Sequence, residues 1–263
     1  MSPSSVGRRV IVTGAASGIG RTFAEDLAAQ GTAVGLVDVS ADGLRSVADA
    51  LRASAQHVET QVADVSDAAA VSSAIDALVS TLGGLDVVIH CAAILGPGHF
   101  REQPADAFDR VIRINLIGTA NVVRATLPAL RASRGAIACL ASTAAVHGWP
   151  ALSAYSAAKF GVAGFCDAIR PELARDGVSL TVVFPLLIDT PLLSGADIPP
   201  ILKQGKRLPP ATVVQKTLSA LARRRARVFI PGSVRLVAAL HGLAPSLLDW
   251  YGRQIGFARS RSA

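Results

Sequence analysis

The feature that most limits what this chain can fold into is an alternation. Apolar runs of strand length, at 10–13, 33–37, 86–91, 136–141 and 179–184, are separated by stretches whose apolar residues recur at helical spacing. Near-continuously apolar strands joined by helices are buried on both faces. The pattern therefore predicts βαβ units wound into one parallel sheet with helices on either side. Shorter runs at 57–63 and 227–230 predict two further strands. With 263 residues, 51% of them apolar and 17% charged, the chain can bury the core of one large α/β domain and is not a disordered polymer. No apolar run reaches the roughly 18 residues needed to span a bilayer. The first strand begins so early that no signal peptide is expected. Cys91, Cys139 and Cys166 are odd in number and lack metal-ligand spacing. We expect reduced thiols in a cytoplasmic protein, and no metal.

The alternation fails in two places. A stretch at about 186–209, rich in Pro, Leu and Ile, is too long for an ordinary connection and reads as an apolar lid. Residues 233–263 form a basic, Leu-rich extension beyond a catalytic domain at 1–232. From Arg223 to Ala263 there are eight Arg and one acid, while the rest of the chain has 18 basic and 18 acidic residues that cancel. The excess of +7 therefore lies entirely in the tail. The tail contains no recognised nucleic-acid module with interleaved aromatics, so no nucleic-acid partner is expected.

The first strand runs into Gly14-Ala15-Ala16-Ser17-Gly18-Ile19-Gly20, followed by an apolar helix. Glycines let the backbone turn tightly and approach a pyrophosphate, while the helix N-terminus offers free N–H groups and partial positive charge. Asp38 closes the second strand. A carboxylate there hydrogen-bonds the ribose hydroxyls of an adenosine and repels the 2′-phosphate of NADP. With no Arg or Lys at 15–17 or 39–40, NAD is the expected cofactor, on a doubly wound, Rossmann-type sheet.

Tyr155 and Lys159 stand four residues apart in a helical stretch, on one face of the helix. A phenol with a pKa of about 10 is a poor base at neutral pH. A neighbouring ammonium and a positive nicotinamide ring would lower it, making Tyr155 a general base in alcohol oxidation and the acid in reverse.

Together these motifs resemble the short-chain dehydrogenase/reductase family over roughly residues 8–231. The matches are Thr13-Gly14-x-x-x-Gly18-Ile19-Gly20, Asp64-Val65, Asn115, Ser142, Tyr155 with Lys159, and Pro185, Ile188 and Thr190. The resemblance implies that Asn115 kinks its helix and supports a proton relay, and that Ser142 orients the substrate oxygen. Tyr155 would be the acid/base, and Lys159 would lower its pKa and bind the nicotinamide ribose. It also implies that Asp64 and Val65 meet the adenine, Ala92 lines the cofactor groove, and Pro185, Ile188 and Thr190 hold the nicotinamide end. Two departures stand out. The family's Asn-Asn-Ala-Gly is His90-Cys91-Ala92-Ala93, and its Pro-Gly is Pro185-Leu186. Loss of the Asn pair weakens a backbone-supporting hydrogen-bond set, and His90 reads as a satisfied core histidine.

The segments expected around the substrate are apolar: Ile94 and Leu95, then Val146, Trp149 and Leu152, then Leu186, Leu187, Leu192, Leu193, Ile198, Ile201 and Leu202. They favour a lipophilic secondary alcohol or ketone over a sugar. The alternatives are an NADPH-dependent carbonyl or 3-oxoacyl reductase, against which Asp38 argues, and a redox sensor without turnover, which would not need Ser142, Tyr155 and Lys159 together. The resemblance implies a homotetramer, with a dimer second, through helices at about 104–131 and 153–175, where Ala157, Ala158, Gly161 and Gly164 allow close approach. The tail is expected to pack on the pocket or a subunit with its Arg outward, ahead of a weak peripheral membrane contact.

Overall fold

A computed structural model describes residues 9–52, 57–194, 205–244, 246, 247 and 250. Seven strands form where the apolar runs predict them: β1 (Arg9–Thr13), β2 (Ala33–Asp38), β3 (Val58–Val62), β4 (Val87–His90), β5 (Ala136–Leu140), β6 (Ser179–Pro185) and β7 (Arg227–Ile230). All pair in parallel, in the order β3-β2-β1-β4-β5-β6-β7. The helices are α1 (Gly18–Ala29), α2 (Ala41–Arg52), α3 (Ala68–Leu82), α4 (Ala105–Ile112), α5 (Gly118–Ser133), α6 (Ser153–Arg175), α7 (Pro210–Ala222) and α8 (Val234–Leu243).

Strand side chains alternate between two cores. Val10 and Val12 join Phe23 and Leu27 of α1, Leu44 of α2 and Val213 of α7 on one face. Ile11 joins Ile75 and Leu78 of α3, Leu130 of α5 and Val162 of α6 on the other. Each fully buried Leu, Ile or Phe contributes about 1.5–3 kcal/mol, so the two-sided burial accounts for the continuous apolar strands. Helix ends follow local chemistry. Asp67 accepts from the N–H groups of Ala69 and Ala70 at the start of α3, and Gly83 ends that helix at φ 71°.

Chain order reverses between β1 and β4, and the crevice beyond their carboxyl ends is where a sheet of this kind binds ligands. Two features refine the sequence reading around it. The long helix expected at about 104–131 is divided into α4 and α5 by a π-helical turn, Arg113–Ile117. The segment expected as a lid leaves β6 at Leu186 and returns at Gly205–Pro209, and its two described limbs are joined by hydrogen bonds. Leu208 N donates to Leu187 O at 2.8 Å and Asp189 N to Leu208 O at 2.9 Å. Arg207 crosses between them, 3.3 Å from Asp189 and 3.2 Å from Leu193 O. Ile198, Ile201 and Leu202 of the expected lid lie outside the described residues, as does the tail beyond Trp250. Among the described residues no helix is long and apolar enough to cross a membrane.

Candidate active site

The turn after β1 needs its glycines. Gly14 and Gly18 hold φ of 67° and 53°, in the left-handed region. A Cβ on Gly20 would stand 2.0 Å from Gly14 O, and one on Gly14 would stand 2.7 Å from Ala92 N. Ser17 caps α1 without a side-chain capping bond, so its hydroxyl and the first N–H groups of the helix remain available to an anion. Asp38 is held by Ala16 N and Ser40 N, both at 3.0 Å, at the end of β2. Asp64 accepts from Ser66 N and Oγ at 2.8 and 2.7 Å, which fixes the turn that carries Val65. Gly14, Ser17, Gly20, Asp38, Asp64 and Val65 line one continuous groove of about 280 Å³ with Gly18, Ile19 and Ala92. These residues fit a dinucleotide. The glycine cradle would be filled by any Cβ, the helix N-terminus faces the groove, and the Asp38 carboxylate lines it and could accept from ribose hydroxyls.

Asn115 is fully buried inside the π turn. Its Oδ1 accepts from Ile94 N and its Nδ2 donates to Ile94 O, each at 2.9 Å. The side chain therefore braces the loop after β4, from a π turn that interrupts the helix where a kink was expected. His90 is corrected, because it is satisfied at one nitrogen only. Nδ1 shares a 2.7 Å bond with Thr13 Oγ1, while Nε2 is buried without a hydrogen-bond partner. Burial, with Lys159 nearby, pushes its pKa down to about 3, so the ring is neutral. Thr13 Oγ1 also reaches Ala92 N at 3.5 Å, a bridge that stands where the family's Asn pair is missing.

Ser142 lies two residues beyond β5, and its Oγ accepts from Ala144 N at 3.1 Å, which orients the hydroxyl. Tyr155 and Lys159 project from the first turns of α6, with the ammonium 5.6 Å from the phenol ring centre. Lys159 Nζ donates to Leu140 O at 2.8 Å. All three residues are buried and line a second cavity of about 300 Å³. Burial raises the Tyr155 pKa to about 12, against a hydrogen bond with Ser142 that lowers it. Burial lowers Lys159 to about 8. The expected fall in the phenol pKa is thus not produced by the protein's own groups, because desolvation of the phenolate outweighs what surrounds it. At neutral pH Tyr155 holds its proton and Lys159 is cationic.

The second cavity continues the first, sharing Ile19, Cys91, Ala93, Thr190 and Leu192 with it. Pro185, Ile188 and Thr190 lie along it, and Leu95, Trp149 and Leu186 form part of its apolar wall. A groove for a dinucleotide that ends at a Ser-Tyr-Lys group under an apolar wall is the arrangement of an oxidoreductase. A sequence profile for short chain dehydrogenases matches residues 8–197.

The chain belongs to the short-chain dehydrogenase family.

It is an oxidoreductase of that family. A 2-dehydro-3-deoxy-L-rhamnonate dehydrogenase (NAD(+)) of Sphingomonas sp. (strain SKA58) is 41% identical over 189 residues, covering 71% of this chain and 74% of the relative. A 3-dehydrosphinganine reductase of Arabidopsis thaliana is 34% identical over 189 residues, covering 70% of this chain and 56% of the relative. The crystal structure of levodione reductase superposes with a TM-score of 0.79 at 31% identity, covering 89% of this chain and 99% of that one. A short-chain dehydrogenase/reductase of Burkholderia phymatum in complex with NAD superposes with a TM-score of 0.84 at 24% identity, over 92% and 95% of the two chains, a likeness of fold.

The sequence reading missed Arg110 and Asn121. Arg110 lines the dinucleotide groove from α4, and only the packing of α4 against α6 and the π turn brings it there. Asn121 Nδ2 donates to Val65 O at 3.0 Å and ties α5 to the Asp64–Val65 turn. A polar residue among the apolar positions of a helix was the available signal.

Proposed function

We propose that the protein is an NAD-dependent dehydrogenase that interconverts a lipophilic secondary alcohol and its ketone. The observation that carries this reading is the second cavity, where the polar Ser142, Tyr155 and Lys159 meet walls built from Leu95, Trp149, Leu152, Leu186, Leu187 and Leu193. Few polar groups in an apolar cleft orient one oxygen and leave the rest of the ligand to hydrophobic contact. The family relatives are named for both a sugar acid and a sphingoid ketone, so the choice rests on the walls of this chain's own cavity.

NAD, when bound, accepts or supplies the hydride. Asp38 selects it over NADP by accepting from the ribose and repelling a 2′-phosphate, in keeping with the cofactor in the name of the Sphingomonas relative. Tyr155 Oη donates its proton to the carbonyl oxygen in reduction and takes it back in oxidation. Ser142 Oγ holds that oxygen and steadies developing charge. Lys159 places a cation beside the phenol, and Asn115 keeps the loop after β4 in register.

The free thiols Cys91, Cys139 and Cys166 are in keeping with a cytoplasmic enzyme. Assembly as a homotetramer, or a dimer, would cover Ile117 and Phe160, 45% and 39% exposed on the helix faces. Of the small residues expected at that contact, Ala158 is buried within the chain and Gly161 is packed by Leu116, while Gly164 has open space. Light scattering tests the assembly, and a monomer would refute it.

Turnover on a panel of secondary alcohols with NAD⁺, and of ketones with NADH, tests the function. Apolar cyclic or aryl compounds should give the higher kcat/KM. Activity confined to polyhydroxylated substrates would overturn the substrate class, and absence of turnover with all of them would overturn the enzyme reading.

A further inference from the structure

The extension begins as a helix with two unlike faces. On the inner side of α8, Val234 is buried and Val237 and Ala238 pack on the core shared with α6. His241 meets the rings of His147 and Phe160 at 5.5 and 6.2 Å. At 100° per residue these positions fall on one side of the helix. The opposite side carries Leu236, Leu240 and Leu243, within an arc of about 60°. They are 72%, 37% and 86% exposed. The same four-and-three spacing continues past Pro245 to Leu247 and Trp250, 56% and 59% exposed. The sequence reading placed arginines outward here. In the structure Arg235 is exposed but the outer stripe of α8 is leucine, because its small and polar residues are the ones used against the enzyme.

Large side chains are rarely left in water as an ordered stripe. The charge of the segment indicates what covers this one. Residues 233–263 have four Arg and a single acid, Asp249. A second copy seated on the same face would bring two such positive extensions together. An anionic bilayer is complementary to both features, since it takes leucines into the acyl boundary, tryptophan at the headgroup level and arginine among lipid phosphates. We propose that the outer face of α8, with Leu247 and Trp250, docks this enzyme on an anionic lipid surface, peripherally and reversibly, the net positive charge of the sequence from 233 to 263 adding attraction. This does not depend on the identity of the substrate.

Co-sedimentation of the full chain with vesicles tests the proposal. Vesicles of equal parts phosphatidylglycerol and phosphatidylcholine should carry the protein down, and pure phosphatidylcholine should not. Raising salt from about 0.1 M to about 1 M shortens the screening length from about 10 to about 3 Å and should release it. Replacing Arg253, Arg259 and Arg261 with Gln should weaken partitioning about 100-fold, at about fivefold per arginine. Replacing Leu236, Leu240 and Leu243 with Ser should weaken it at least about tenfold, with dehydrogenase activity and thermal melting unchanged because the side chains face solvent. If the leucine variant misfolds, the intact chain and the arginine variant still decide the matter. Failure to sediment with anionic vesicles, or equal sedimentation with neutral ones, overturns the proposal. A leucine variant that falls to a smaller oligomer in light scattering, with vesicle binding unchanged, would assign the face to a second copy instead.

Discussion

The two ends of the cavity are made of different material. The dinucleotide groove is mostly backbone, a turn that requires glycine at 14 and 20, the start of α1, and a carboxylate pinned by two main-chain N–H groups. The substrate end is mostly side chain, with three polar groups under a wall of leucines from three separate segments. Backbone sites are fixed as soon as the strands pair. A side-chain site depends on burial, which sets protonation as well as shape. The groove should therefore be sensitive to any added atom, while the substrate end should be sensitive to chemistry at unchanged volume.

The largest expected effect separates the two ends. Tyr155→Phe keeps the ring and removes the oxygen, so kcat should fall by about 10² or more while NAD affinity stays within about twofold. A matching loss of NAD binding in a titration would show that the two ends are not independent. Gly20→Ala should do the reverse. Its Cβ would press on Gly14 O, at a cost of about 1–3 kcal/mol in denaturant melts, and NAD affinity should drop by about tenfold or more. Normal NAD binding would remove the turn from the cofactor site.

Asp38→Ala combined with Val39→Arg should move the NAD-to-NADP preference by about tenfold or more toward NADP. If the unaltered enzyme already used NADP better, the reading of Asp38 would be wrong.

The pH response sharpens the comparison at the substrate end. Tyr155 holds its proton until pH approaches 12, so it is an acid ready for ketone reduction at neutral pH, and oxidation should quicken as pH rises from neutral. An oxidation rate that falls with rising pH would contradict this. Stability follows from the same shifts. Lys159 loses its proton near 8 in the folded chain and near 10.5 unfolded. Between those values the unfolded state binds more protons and stability rises with pH. Tyr155 works the other way between 10 and 12, where the folded chain keeps the proton and stability falls. The smallest effect is expected in the segment after β6. Arg207→Ala removes a partly exposed ion pair worth less than about 1 kcal/mol, leaving the melt nearly unchanged and raising substrate KM a few-fold. A fall in kcat with KM unchanged would contradict a role for this segment as a cover over the substrate.

Most of the fold was legible because it rests on short-range periodicity. The run 10–13 alternates between two cores as its spacing requires, and the strands fall within a residue or so of the apolar runs. The glycine turn was legible for a related reason, since its demand for residues without Cβ is written in the residues themselves. Asn115 was legible as a helix oddity, but its partner Ile94, 21 residues away in sequence, was not. His90 looked like a filled core position, yet only the pairing of β4 with β1 places its Nδ1 against Thr13 and leaves Nε2 alone.

The sequence by itself determined the order of strands and helices, the glycine turn after β1 and the acid at the end of β2, because each is a local pattern or a residue type that few positions tolerate. Tertiary structure alone decided the protonation of Tyr155 and Lys159, the inward and outward faces of α8, and the entry of Arg110 into the groove. The physical reason is common to all three. Burial is a property of what other segments cover, and no spacing along the chain states how far a side chain will be from water.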